Sequence, residues 1–168
     1  VTGKNMIRRI YKFLKEDIPG FENSYILSVA PMIGIRESRR IKGKYILTEQ
    51  DYKDKSKFED AIARTAYPID VHGDEEKGIS IEPLKRGEYF EIPFRSLVPE
   101  KINNLLVGGR CISSSFIAQS SIRIQPICRA TGEACGIAGA ICAKEDIKAA
   151  QLDGVLVRKL MIEKGSIL

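Results

Sequence analysis

Two features suited to close ligand approach lie together between residues 103 and 143. One is the glycine pair Gly108-Gly109, followed by Arg110-Cys111 and a Ser-rich run. The other is a downstream helix pattern with small residues on nearly every turn. Adjacent glycines let the backbone turn with φ > 0 or come close to a ligand that side chains would keep away. In the helix pattern, Gly132, Gly136 and Gly139 alternate with Ala134, Ala138, Ala140 and Ala143. Cys128, Cys135 and Cys142 recur every seven residues and share one face two turns apart. Interior glycines cost a helix about 1 kcal/mol each relative to alanine. Close packing on a strand or on a flat ligand would offset that cost. The alternative is a buried helix that crosses a sheet at short range and binds nothing.

His72 is the second chemical candidate, because no other side chain here titrates near neutrality without a large shift. It ends a predicted strand at Tyr67–Val71, beside Asp70 and Gly73, where it would serve as a general base taking a hydroxyl proton. A structural hydrogen-bonding role is the other reading. Arg36, Arg39, Arg40 and Arg123 are of the right type to orient an anionic or polyhydroxy substrate, with salt-bridge pairing as the alternative.

The chain must position these groups with 168 residues, 43% of them apolar, which suffices for one domain with a real core or one with a small appendage. A net charge of +5 with basic and acidic residues interspersed is unlike a nucleic-acid-binding stripe. The helical cysteines stand roughly 10 Å apart, beyond disulfide reach. There is no C-x-x-C, and His72 has no cysteine near it in sequence, so neither a disulfide framework nor a metal site is expected. Cys111 is either a redox group or simply packed. A reducing, cytoplasmic setting fits this usage. No stretch is long and apolar enough for a membrane span.

Along the chain, residues 4–17 predict an amphipathic helix, with Met6/Ile7, Ile10/Tyr11 and Leu14 on one face, stopped by Ile18-Pro19-Gly20. Strands are expected at 24–30, 44–48, 67–71 and, buried, at Leu105–Val107. Ser56 with Glu59 predicts a capping box opening a helix to about Thr65. Lys85-Arg86-Gly87-Glu88 predicts a hairpin turn between 79–84 and 88–92. Pro126 suits the first turn of the small-residue helix, and Asp153 suits the N-cap of a last helix closed by Gly165.

The sequence blocks resemble one family. They are Gly-Ile-Arg-Glu-Ser-Arg-Arg-Ile (34–41), Tyr-Pro-Ile-Asp-Val-His (67–72), Ile-Pro-Phe-Arg-Ser-Leu-Val-Pro (92–99), Asn-Leu-Leu-Val-Gly-Gly-Arg-Cys-Ile-Ser (104–113), Ser-x-Arg (121–123) and Gly-Glu-Ala-Cys-Gly-x-Ala-Gly (132–139). In this order they are similar to the C-terminal half of bacterial FAD-dependent oxidoreductases of the xanthan-lyase-associated type, over about residues 24–168.

The resemblance implies a mixed α/β (α+β) fold: the C-terminal part of a Rossmann-like FAD-binding domain plus a mostly antiparallel substrate-domain sheet with flanking helices. Residues 1–100 would be the substrate-domain segment. Residues 101–168 would complete the FAD-binding domain, whose N-terminal nucleotide-binding half is expected to be absent. Consistent with that, no glycines show the G-x-G-x-x-G spacing, and no phosphate-loop motif occurs. FAD is the implied cofactor. Gly108, Gly109 and Arg110 would lie near its diphosphate or ribityl chain, a role suited to close-approaching glycines and a bidentate guanidinium. Gly132, Glu133 and Ala134 would lie near the flavin ring, and a helix N-terminus there would favour its anionic reduced form. His72, Arg123 and Arg36 would serve the substrate side. The implied activity is hydride transfer between flavin and a small, carbohydrate-like molecule. The isolated chain is expected to be inactive, and to associate with itself or with the missing half. No nucleic acid or membrane partner is expected. The rival reading is a non-catalytic ligand-binding or assembly module on the same scaffold, favoured by the missing glycine fingerprint.

Overall fold

Met6, Ile7, Ile10, Tyr11 and Leu14 recur at helical spacing, and Thr2–Asp17 forms helix α1 as that pattern predicts. The computed structural model describes residues 2–71 and 81–168. The chain divides into two units, residues up to Ile35 and Arg36–Leu168. In the first, α1 buries none of its residues, and Met6, Ile10 and Phe13 are exposed. Gly20, at φ +93, reverses the chain after it, and its amide donates to the Glu22 carboxylate at 3.0 Å. That bond holds the Glu22 carboxyl below its ordinary range. Residues 24–30, expected as a strand, form none.

The second unit is mixed α+β. Its sheet pairs β1 (Ala61–Thr65) with β2 (Phe90–Pro93) antiparallel, in the register Ala63↔Ile92, Arg64↔Glu91 and Thr65↔Phe90, with a bulge between Ala61 and Ala63. Helices α2 (Glu49–Asp54), α3 (Phe116–Ile122), α4 (Gln125–Glu145) and α5 (Gly154–Glu163) surround it. Both α4 and α5 pack on β1. The core between them gathers Leu47, Tyr52, Ile62, Phe90, Ile92, Phe94, Ile112, Ala134, Ala138, Val157 and Met161. Ala134 and Ala138 on α4 serve this packing, because a small side chain lets the helix axis lie close to β1, while Gly132, Gly136 and Gly139 face outward.

Three of the sequence expectations about helix ends hold. Asp153 caps α5, its carboxylate accepting from the Val155 amide at 2.9 Å, and Gly165 follows the helix with φ +94. Pro126 lies in the first turn of α4.

The helix expected from Ser56 to Thr65 is corrected. Thr48 and Asp51 form the capping box instead, opening α2, and the chain leaves that helix through Lys55 in the left-handed region. The Phe58 amide donates to Glu91 Oε2 at 2.9 Å, and the Glu91 amide to Ser56 O at 2.9 Å, which holds this segment extended beside β2. Ala61, Ile62, Ala63 and Thr65 are all buried, so the run has no helical periodicity for propensity to exploit. Strands expected at 44–48, 67–71 and 105–107 are also corrected. The first is reduced to isolated bridges, Gly43↔Pro99 and Leu47↔Ser114. The turn at Lys85–Glu88 is present, with the Glu88 amide donating to Lys85 O at 2.9 Å, but β2 pairs with β1. No helix among the described residues is long and apolar enough to cross a membrane.

Candidate functional site

The loop after Leu97 is laid out by backbone bonds to three different segments. The Val107 amide donates to Leu97 O at 2.9 Å, and the Ser113 amide to Ser96 O at 3.0 Å. From the other side, the Ile41 amide donates to Cys111 O at 2.9 Å, and the Leu47 amide to Ser113 O at 3.2 Å. Leu105–Val107 therefore runs as a single extended segment with Leu105 exposed. It is not a buried strand, since among the described residues its backbone joins no ladder beyond the Val107–Leu97 bond.

These bonds press the glycine pair against the middle of α4. A Cβ at Gly108 would lie 3.1 Å from Thr131 O and 3.3 Å from both Gly132 N and Cys135 Sγ, so only glycine sits there without displacing a helix backbone. Gly109 has φ +82, with open space where its Cβ would be. Its amide donates to Thr131 Oγ1 at 2.8 Å. Fully buried Thr131 directs its own hydroxyl back to the helix carbonyls of Ile127 and Cys128, each at 3.0 Å.

Arg110 is exposed, and its Nε donates to the Arg123 carbonyl at 3.2 Å. Cys128 Sγ meets the same carbonyl at 3.6 Å. Burial pushes the Cys128 thiol up, and the nearby Arg110 charge partly counters it. Arg123 itself is turned inward, with 6% of its side chain exposed. Its Nη1 pairs with Glu37 at 3.0 Å, and its Nη2 donates to Asp70 O at 2.9 Å.

The expected site residues thus separate into groups. Gly108, Gly109, Arg110, Arg123 and Gly132 come together where the loop crosses α4. Glu133 points elsewhere, accepting from Ser166 Oγ at 2.9 Å beside the C-terminal tail. Ala134 is fully buried in the core. Arg36 is exposed. His72 lies outside the described residues. Helix α4 begins at Gln125, with Ile124 as an N-cap that makes no side-chain bond, so Gly132–Ala134 lies about two turns inside it. The positive end of its dipole belongs to Gln125–Cys128.

Sequence reasoning missed Thr131, Glu37 and Asp70. A threonine inside a run of glycine and alanine, and single acids beside Arg36 and His72, were the available signals.

FAD can be tested against these groups. Its diphosphate needs cationic and N–H donors, and its flat ring needs a surface free of side chains. Arg110 supplies an exposed guanidinium. Gly132, Gly136 and Gly139 on α4 have nothing within 4 Å of where a Cβ would stand. A groove of about 520 Å³ runs from Cys135 past Gly139 and Cys142, walled on the other side by Asn104–Leu106. The Ser113 and Ser114 hydroxyls and Gln119 Oε1 are buried without a hydrogen-bond partner among the described residues. The Gly109 amide is committed to Thr131, and Gly132 lies inside α4. Of these groups the exposed Arg110 guanidinium is therefore the donor that would meet an anionic part of such a cofactor, with Gly132 offering a surface free of a side chain. Among the described residues, no group of three His, Cys, Asp or Glu is arranged to hold a metal.

No curated protein and no solved structure matches the chain. The family model described as FAD dependent oxidoreductase does match it, over residues 1–161, a span that takes in the glycine pair, the buried arginine and all of α4. On that match, the chain belongs to the FAD-dependent oxidoreductase family.

Proposed function

We propose that this chain is the C-terminal part of a bacterial flavoprotein of the xanthan-lyase-associated type, working in the cytoplasm on a small carbohydrate-like substrate. Residues 1–100 supply the substrate-domain segment. Residues 101–168 complete the FAD-binding domain, and its nucleotide-binding half is contributed from outside this sequence. The observation that carries the reading is the seating of Gly108-Gly109-Arg110 on α4, with the Gly109 amide fixed by Thr131 at 2.8 Å and Arg110 exposed beside it.

When bound, FAD supplies the hydride acceptor or donor. The chain's own residues bind and orient. Arg110 offers a charge-assisted contact to an anionic group, and its Nε anchor on the Arg123 carbonyl fixes the direction of the guanidinium. Gly132 and its neighbours on the outer face of α4 leave backbone open to a planar group. Arg36 orients the substrate from the loop at 36–40. His72 takes or returns the hydroxyl proton.

Absorbance of the purified chain after mixing with FAD and desalting tests the reading. A retained flavin band supports it. Loss of the band from this chain, and also from a longer chain that includes the glycine fingerprint, would overturn it. A non-catalytic assembly module is the second reading, favoured by the absence of that fingerprint from the sequence. Flavin bound by the longer chain without turnover of any polyol would favour it.

A further inference from the structure

The run Ser113–Arg123 is polar in sequence yet mostly buried: Ser120, Ser121 and Arg123 are 1%, 0% and 6% exposed. Desolvating three such groups is unfavourable unless each finds partners. The partners are backbone and carboxylates from two separate loops. Ser121 Oγ donates to Tyr67 O at 2.5 Å, and Ser120 Oγ accepts from the Asp70 amide at 3.0 Å. Arg123 Nη2 donates to Asp70 O at 2.9 Å and lies 3.5 Å from its carboxylate. The other arm of the same guanidinium, Nη1, holds Glu37 at 3.0 Å.

We propose that Arg123 is a positioning residue and not a substrate contact, its buried guanidinium joining the loop at 36–40 to the segment 67–70 through Glu37 and Asp70. A planar guanidinium suits this task because its two Nη atoms reach separate partners at once. A lysine ammonium, a single point charge on a flexible stem, holds one or the other. Both tethered segments carry residues of the substrate side. Arg36 adjoins Glu37, and the chain continues from Asp70 through Val71 to His72. The inference rests on the pairs themselves, so it stands or falls independently of whether the chain retains FAD.

The test reads each segment separately. Trypsin cleaves after arginine, so the rate of cleavage after Arg36, Arg39 and Arg40 reports the first segment. Exchange of the Asp70 amide reports the second. Glu37→Gln should raise cleavage about tenfold and leave Asp70 exchange unchanged. Ser120→Ala should speed Asp70 exchange and leave cleavage unchanged. Arg123→Lys should raise both, with no rescue by the conserved charge. If Arg123→Lys matches the unsubstituted chain in both readouts, or moves only one of them, the bridging role is wrong. Should Arg123→Lys fail to fold, Glu37→Gln still decides: unchanged cleavage in it would also overturn the bridge.

Discussion

The amide of Gly109 donates to the hydroxyl of Thr131 at 2.8 Å, and that single bond ties the exposed loop to the interior of α4. Thr131 is fully buried, so an apolar replacement leaves the Gly109 N–H without its partner. Thr131→Val should cost about 1–3 kcal/mol, read from the denaturant midpoint. Thr131→Ser, which keeps the hydroxyl, should recover most of that. A loss in Thr131→Ser with none in Thr131→Val would mean that methyl packing, and not the bond, is what Thr131 contributes.

The glycines of this region should respond with opposite signs. Gly108→Ala puts a methyl 3.1 Å from a helix carbonyl and 3.3 Å from a helix amide, neither of which can rotate away. It should destabilise by about 1–3 kcal/mol. Gly109→Ala has room for the methyl but keeps φ +82, a strain of roughly 1–2 kcal/mol. Gly136→Ala lies inside α4 with open space around it, and should stabilise the chain by about 1 kcal/mol. Melting of the three variants separates crowding, strain and helix propensity in one experiment.

How much of this was legible in the sequence follows from the range of each interaction. Helix α1, the end of α4 that carries Pro126 and the capped start of α5 rest on local periodicity and capping, and all three were readable. The strand at Ala61–Thr65 was not, because its conformation is set by Phe90–Pro93 some thirty residues away. The same Ala-Ile-Ala run suits a helix until that partner is known. Gly108-Gly109 was legible as a close approach, but not what it approaches. Thr131 and Cys135 occupy the space where the sequence alone invited a ligand. Arg123 was visible as a cation, and its burial against Glu37 and Asp70 was not, since charge type carries no information about exposure.

Asp60 and Arg95 make a pair whose two members are unequally solvated. The Asp60 side chain is 10% exposed and that of Arg95 is 50% exposed. Asp60 Oδ2 accepts from both Arg95 Nε at 3.0 Å and the Arg95 amide at 3.2 Å, and Oδ1 accepts from Nη2 at 3.1 Å. Removing the carboxylate leaves a guanidinium that water can reach, so Asp60→Ala should cost only about 2 kcal/mol. Removing the guanidinium leaves a buried carboxylate with an amide alone, so Arg95→Met should cost more, about 3 kcal/mol. Urea denaturation of both variants checks the order. The reverse order would mean that Asp60 contributes mainly through its bond to the Arg95 amide, which Arg95→Met keeps.

Cys135 gives the same region a dependence on pH. Its sulfur lies against Gly108, and burial pushes its thiol up to about 11. The neutral form is the one the fold prefers, so this contribution is constant below about pH 9. It declines as pH rises toward 11, where the unfolded chain releases the proton first. Burial and a 2.6 Å hydrogen bond to Asp51 also push the Tyr45 phenol up, adding a second decline that begins near pH 10. Stability measured from pH 8 to 11 in a Tyr45→Phe background should therefore still fall, and Cys135→Ala in that background should flatten the curve between 9 and 10. Reactivity gives an independent check. At pH 8 burial keeps the Cys135 thiol protonated, whereas Cys111 is exposed. Iodoacetamide should label Cys111 first and Cys135 at least tenfold more slowly. Rapid labelling of Cys135 in the folded chain would mean that the loop carrying Gly108 lifts from α4, and that the seating on Thr131 is transient.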